Sequence, residues 1–138
     1  MSGPALAAAA EALVGRRFRL HGRDPESGLD CIGVLAASLA AIGRPVAFPS
    51  GYALRTSAYS SLPALAAEHG FVSATGATLP GDVLFVRPGP AQMHLLIAAI
   101  APGWFIEAHA GLRRVVRRPG PILEPVLQSW RLSALQTG

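Results

Sequence analysis

Between Asp30 and Gly43 the chain runs Cys-Ile-Gly-Val-Leu-Ala-Ala-Ser-Leu-Ala-Ala-Ile without a single charge. Asp30 is a favourable N-cap, Gly43 a favourable stop, and Pro45 forbids continuation, so the sequence predicts a helix over Cys31 to Ile42. That helix is apolar nearly all round, with Gly33 and Ser38 as its small exceptions. A helix with no polar face belongs at the centre of a domain, and the rest of the chain has to cover it. It also carries the only cysteine at its first turn. Free backbone N–H groups and the positive end of the helix dipole lie there, and both favour a thiolate over a thiol. A merely structural cysteine has no reason to prefer this position.

A length of 138 residues suits one domain around one core, and no repeat, low-complexity tract or composition break divides 1–138. With 51% hydrophobic and 14% charged residues, a dense core is feasible and wholesale disorder is disfavoured. The longest charge-free apolar stretches, Cys31 to Gly43 and Leu95 to Ile106, are too short to span a bilayer. Ala5 to Ala10 has no basic residue before it, and Glu11 and Arg16-Arg17 follow it, the reverse of a secretory signal. The expectation is a soluble protein made in the cytoplasm. All 12 basic residues are arginine and the net charge is +4. The Arg113-Arg114 and Arg117-Arg118 cluster could attract nucleic acid or an anionic polymer such as cell wall. It lacks the interleaved aromatics of a single-strand binder and reads best as a solvated surface. One thiol excludes an internal disulfide and argues against a cysteine-based zinc site.

In chain order, Ala5 to Val14 reads as a short Ala-rich helix and Arg16 to Gly28 as a loop. Pro45 to Ser61 is irregular, and Pro63 to Glu68 is a further short helix closed by Gly70. Pro80-Gly81-Asp82 is a turn signal. Behind it come apolar runs at Val83 to Val86, His94 to Ile100 and Trp104 to His109, then Val115-Val116, separated by short turns. These predict an antiparallel meander. Pro119, Pro121 and Pro125 lead to an expected terminal helix over about Val126 to Leu135. Helices first and then an antiparallel sheet define an α+β domain.

Three residues then converge. If the strands around Pro102-Gly103 form a hairpin centred between 101 and 102, His94 and His109 lie opposite each other at one end of it. A helix docked with its N-terminus against that end brings Cys31 to His94. Thiol hydrolysis needs this set: a nucleophile, an imidazole that takes and returns a proton, and a polar group that fixes the imidazole tautomer. His109 is the candidate for the third role. Glu107, on the same strand face by alternation, is its rival. The Cys31 N–H would serve as one oxyanion donor. Taken singly, each residue has a plainer explanation: a packed cysteine, strand-end histidines, and an Asp30 that is only a cap.

At these residues the chain resembles a known family. The runs Arg17 to Arg23 and Gly28-Leu29-Asp30-Cys31-Ile32-Gly33 are similar to the cysteine motif of NlpC-type papain-like cell-wall peptidases. Pro80-Gly81-Asp82-Val83-Leu84-Phe85 resembles their turn-and-strand motif, Met93 to Ile97 their histidine strand, and Phe105 to Ala110 the strand of their third polar residue. The matches follow the family's order from about Val14 to Val116. His21-Gly22-Arg23, Asp30-Cys31-Ile32-Gly33 and Trp130-Arg131 resemble the branch found in bacteriophages and gene transfer agents. Unlike secreted members, this chain has Ile32 in place of a serine, and Phe18 and Leu20 in place of tyrosine and tryptophan.

The resemblance implies a papain-like fold with no metal and no organic cofactor. It also implies hydrolysis of an amide in peptidoglycan stem peptides, commonly the bond from D-glutamate to a diamino acid. Cys31, His94 and His109 would be catalytic, and Asp30 could meet a substrate ammonium. His21 could replace a lost donor, and Tyr52 and Arg55 could wall the cleft. Partners would be the hub or tip proteins of a tail-like particle. The enzyme would be made in the cytoplasm and carried to the periplasm or cell wall. The alternative reading, motivated by the altered pocket residues, is a tail-associated interaction module that keeps the fold with weak or lost catalysis; for oligomeric state, Trp104 and Trp130 leave room for a docking face.

Overall fold

In the computed structural model, which describes residues 2–46, 62–90 and 92–133, the apolar helix is central, as its sequence requires. It is α2 (Cys31–Ala41), preceded by α1 (Ser2–Glu11) and the two-residue strands β1 (Arg23–Asp24) and β2 (Gly28–Leu29). After it come α3 (Leu62–Glu68) and strands β3 (Phe71–Ser73), β4 (Val83–Gly89), β5 (Gln92–Ala98), β6 (Trp104–His109), β7 (Arg114–Pro119) and β8 (Val126–Leu132). Strands β3 to β8 form one antiparallel sheet in the order β3-β8-β4-β5-β6-β7, and β1 and β2 form a separate two-stranded antiparallel pair.

The ends of α2 follow from its flanking residues. Asp30 has extended backbone, and its side chain accepts a hydrogen bond from Gly33 N at 2.8 Å, satisfying one of the donors a helix start leaves free. At the other end Gly43 takes φ +79°. Gly43 N donates to Ala40 O at 3.1 Å and Arg44 N to Leu39 O at 2.8 Å, a Schellman stop. Between these caps Ile32, Val34, Leu35 and Leu39 are buried. They pack in one cluster with Leu6 and Leu13 from the α1 side, and with Phe85, Leu95, Ile97, Ile106 and Trp130 from the sheet.

Strand β4 is buried on both faces, which explains its unbroken Val-Leu-Phe-Val run. Val83 and Phe85 face the helices. Leu84 and Val86 join Leu96, Ala98 and Phe105 in a second cluster on the far side, with Ile122 packed against it. The turn before β4 is fixed by its own residues. Gly81 has φ +86°, and a Cβ there would stand 2.0 Å from Gly3 O. Asp82, only 1% exposed, accepts two bonds of 2.8 Å from Arg131 and one of 2.9 Å from Leu79 N.

The expected terminal helix is replaced by β8 over Val126–Leu132. That segment fills a slot between β3 and β4 and finds backbone partners on both sides. Trp130 and Leu132 enter the helix-side cluster, while Arg131 between them reaches Asp82. This is a period of two, and the tertiary slot overrides the weak local helix preference. Among the described residues, no helix is long and apolar enough to cross a membrane.

Candidate active site

The hairpin of β5 and β6 has the expected centre, but its described pairing is confined to Ile97↔Ile106 and Ala98↔Phe105. His94 and His109 lie three residues beyond the last pair, where the two strands no longer bond. Cys31, at the first position of α2, shares a cleft with Met93 and His94 at this end of β5. His94 and the Cys31 sulfur are near enough for the sulfur to favour the charged form of the ring. The cleft around these groups, about 1070 Å³, is also lined by Glu107, His109, His21 and Asp30.

The His94 Nε2–Glu107 Oε1 distance is 2.8 Å. An ionised carboxylate only accepts, so Nε2 carries the proton and Nδ1 is the ring nitrogen left for the sulfur. Glu107 is 6% exposed and sits two residues from His109 on the same strand face, so its longer reach from the diagonal position makes the bond. His109 lines the cleft but does not orient His94. Its Nδ1 accepts from Leu112 N at 3.0 Å in the turn before β7. The bond expected of His109 is therefore made by its rival, Glu107.

Two opposing effects act on His94. Burial disfavours its charged form, but the bonds and charges of Cys31 and Glu107 outweigh that, and its pKa is raised to about 10. Burial likewise pushes Glu107 up, yet His94, then Arg118 and His109, hold it below the ordinary carboxylate value. The histidine is thus held in its imidazolium form beside the Glu107 carboxylate, with the Cys31 sulfur on its other side, the arrangement in which it can pass a proton to a leaving group. The Cys31 N–H stands where no intrahelical carbonyl precedes it, so it can face a developing oxyanion.

The loop from Arg16 to Gly28 is laid against the start of α2 by close backbone approach. A Cβ at Gly33 would meet Gly22 O at 2.1 Å, and one at Gly22 would meet Gly28 O at 2.2 Å. Asp30 joins the two parts. Its Oδ1 accepts from Gly33 N and from Arg23 Nη1 at 2.7 Å, and its Oδ2 accepts from His21 N at 3.0 Å. Three of roughly four acceptor sites are thus used within the chain. His21 holds φ +61°, an uncommon conformation for a residue with a side chain, and borders the cleft. Tyr52 and Arg55 lie outside the described residues.

Two charged groups of the site were not singled out from the sequence. Arg118 Nη1 is 3.6 Å from Glu107 Oε2 and 2.8 Å from Glu124 Oε2, and Arg118 Nη2 bonds Glu124 Oε1. The arginine cluster read as solvated surface therefore divides: Arg118 turns into the site, whereas Arg117 pairs with Glu11. The available signal was alternation on β7, which places Arg118 on the face of Val116, the residue paired with Glu107. Among the described residues, no three His, Cys, Asp or Glu groups are placed to hold a metal ion.

No protein-family model and no curated protein matches the sequence. Solved structures do. The chain is similar to the NlpC/p60 domain of the peptidoglycan hydrolase SagA, with 24% identity and a TM-score of 0.64 over 96% of this chain and 100% of that one. It is also similar to NlpC2 from Trichomonas vaginalis, with 16% identity and a TM-score of 0.67 over 94% of this chain. It spans about half, 46%, of the latter's length. At these identities the likeness concerns architecture. Helix α2 with its N-terminal cysteine, packed on an antiparallel sheet, has the papain-like fold of NlpC/p60 domains.

Proposed function

We propose that the chain is a cysteine peptidase that hydrolyses an amide bond in peptidoglycan stem peptides. The observation that carries this reading is that Cys31 and His94 share one cleft, with the His94 Nε2 held by Glu107 at 2.8 Å. The peptidoglycan hydrolase among the structural neighbours supports the substrate class. In the reaction the Cys31 sulfur attacks the carbonyl carbon, and the Cys31 N–H meets the oxyanion that forms. The His94 imidazolium gives its proton to the leaving amine, leaving a thioester. A water then attacks, His94 takes its proton back, and the acid is released with the sulfur restored.

Within this reading, the bond from D-glutamate to the diamino acid is the preferred site of cleavage. Asp30 serves as the cap and anchor of the site and not as the receptor of a substrate ammonium, because Arg23 already neutralises it. The enzyme acts from a phage-tail-like or gene-transfer-agent particle, bound to its hub or tip proteins. The particle would carry it to the periplasm and cell wall. The motifs His21-Gly22-Arg23, Asp30-Cys31-Ile32-Gly33 and Trp130-Arg131 support this placement. Purified sacculi digested with the protein, followed by mass spectrometry of the released muropeptides, test both activity and bond. Wild type should release stem-peptide fragments and Cys31→Ala none while remaining folded. Equal release by both refutes the peptidase reading.

A further inference from the structure

We infer that Arg118, gripped by Glu124, is a positioning residue that fixes the Glu107 carboxylate and, through it, the ring of His94. This deepens the peptidase reading and rests on it for its kinetic consequence. The two oxygens of Glu107 are divided between partners: Oε1 bonds His94 Nε2 at 2.8 Å and Oε2 faces Arg118 Nη1 at 3.6 Å. A carboxylate bonded through one oxygen can still turn about its last side-chain torsion, which is broad and shallow. A cation facing the second oxygen removes that freedom. Register explains how a single arginine can do this. Glu107 pairs with Val116 and Phe105 with Arg118, so Arg118 lies on the diagonal from Glu107 on one face of the sheet.

Arg118 is itself held from the other side. Both of its terminal nitrogens bond the two oxygens of Glu124, a fork-to-fork pair from the loop that follows β7. Arg118 is 24% exposed and Glu124 21% exposed, so this grip is less screened than a free surface pair. The result is a line of alternating charges, His94, Glu107, Arg118 and Glu124, running from β5 across β6 and β7 to the following loop. The other titratable groups around it are Cys31 from α2 and His109 from β6. Among the described residues, the hydrogen bonds and ion pairs of Arg118 go to Glu107 and Glu124 and none to the sulfur or the imidazole, so its effect on His94 is assigned to Glu107. A purely structural role would move stability and leave the His94 bond untouched.

The test uses Arg118→Gln, Glu124→Gln and the double variant of the full chain, read in two ways. The first is the NMR signal of the His94 Hε2 proton, which a bond to a buried carboxylate deshields and protects from exchange, and which needs no substrate. The second is kcat and KM on soluble disaccharide stem-peptide fragments. The Hε2 signal should be sharp in wild type and broadened or lost in Arg118→Gln. Glu124→Gln should show a weaker form of the same defect. In turnover, kcat should fall roughly tenfold in Arg118→Gln with KM nearly unchanged, the size of effect seen when a group orienting a functional histidine is removed. The double variant should be no worse than Arg118→Gln, because Glu124 acts only through Arg118.

An intact Hε2 signal in a folded Arg118→Gln protein overturns the proposal, as does strict additivity of the two substitutions. If wild type cleaves nothing, the peptidase reading fails, and the Hε2 signal in the variants still decides whether Arg118 positions Glu107.

Discussion

Asp30 has two possible duties, capping α2 and receiving a substrate ammonium, and they separate under two substitutions. Asp30→Ala removes the cap bond to Gly33 N, the bond from His21 N and the pair with Arg23. The lost cap costs about 1 kcal/mol. The partly exposed pair with Arg23 adds at most about 1 kcal/mol, and the orphaned His21 N–H about 1 kcal/mol more. The expected loss is therefore about 2–3 kcal/mol, read as a lower urea midpoint at constant slope. Asp30→Asn keeps a cap oxygen for Gly33 N and should lose only about 1–2 kcal/mol. The same two variants are then assayed on a stem peptide with a free amino terminus and on that stem still joined to its sugar. With Arg23 occupying Asp30, KM for the two substrates should shift together in Asp30→Asn. An ammonium bound directly by Asp30 would instead lose about 2 kcal/mol or more on the free-amine peptide alone, roughly thirtyfold in KM. Such selective loss would refute the assignment of Asp30 as an internal anchor.

The remaining expectations concern pH and the far end of the sheet. Because the folded His94 value of about 10 lies above the unfolded 6.5, the His94 contribution to stability is fully present below pH 6.5 and lost as pH rises towards 10. The stability difference between wild type and His94→Gln, from urea unfolding, should shrink across that window; a flat difference contradicts the ion-paired state. Arg131→Met strands Asp82, whose side chain is 2% exposed, with Leu79 N as its remaining partner, and should cost about 3 kcal/mol. Adding Asp82→Asn to that variant should recover part of the loss, and a double variant less stable than Arg131→Met alone would show that the pair is not what holds this turn.

What could be read from the sequence follows how local each determinant is. Helix α2 was legible because its cap, its stop and its apolar surface all lie within residues 30–45, so no distant contact is needed to define it. The hairpin centre was legible for a similar reason, since Pro102-Gly103 sets it. His109 was the natural choice to orient His94 because it lies directly opposite in an ideally continued hairpin. The described pairing stops after Ala98 and Ile97, and once strands separate the diagonal neighbour with the longer side chain can make the contact. Strand β8 was misread because its identity depends on a slot between β3 and β4, which belongs to no local window. Arg118 was hidden for a related reason, since basic clusters are ordinarily solvated and only the β6–β7 register singles out one member. Each miss therefore involves a long-range partner, and two of the three cluster around His94. The residues that complete a thiol site need to meet only in the folded chain, and local pattern is a poor guide to which of them do.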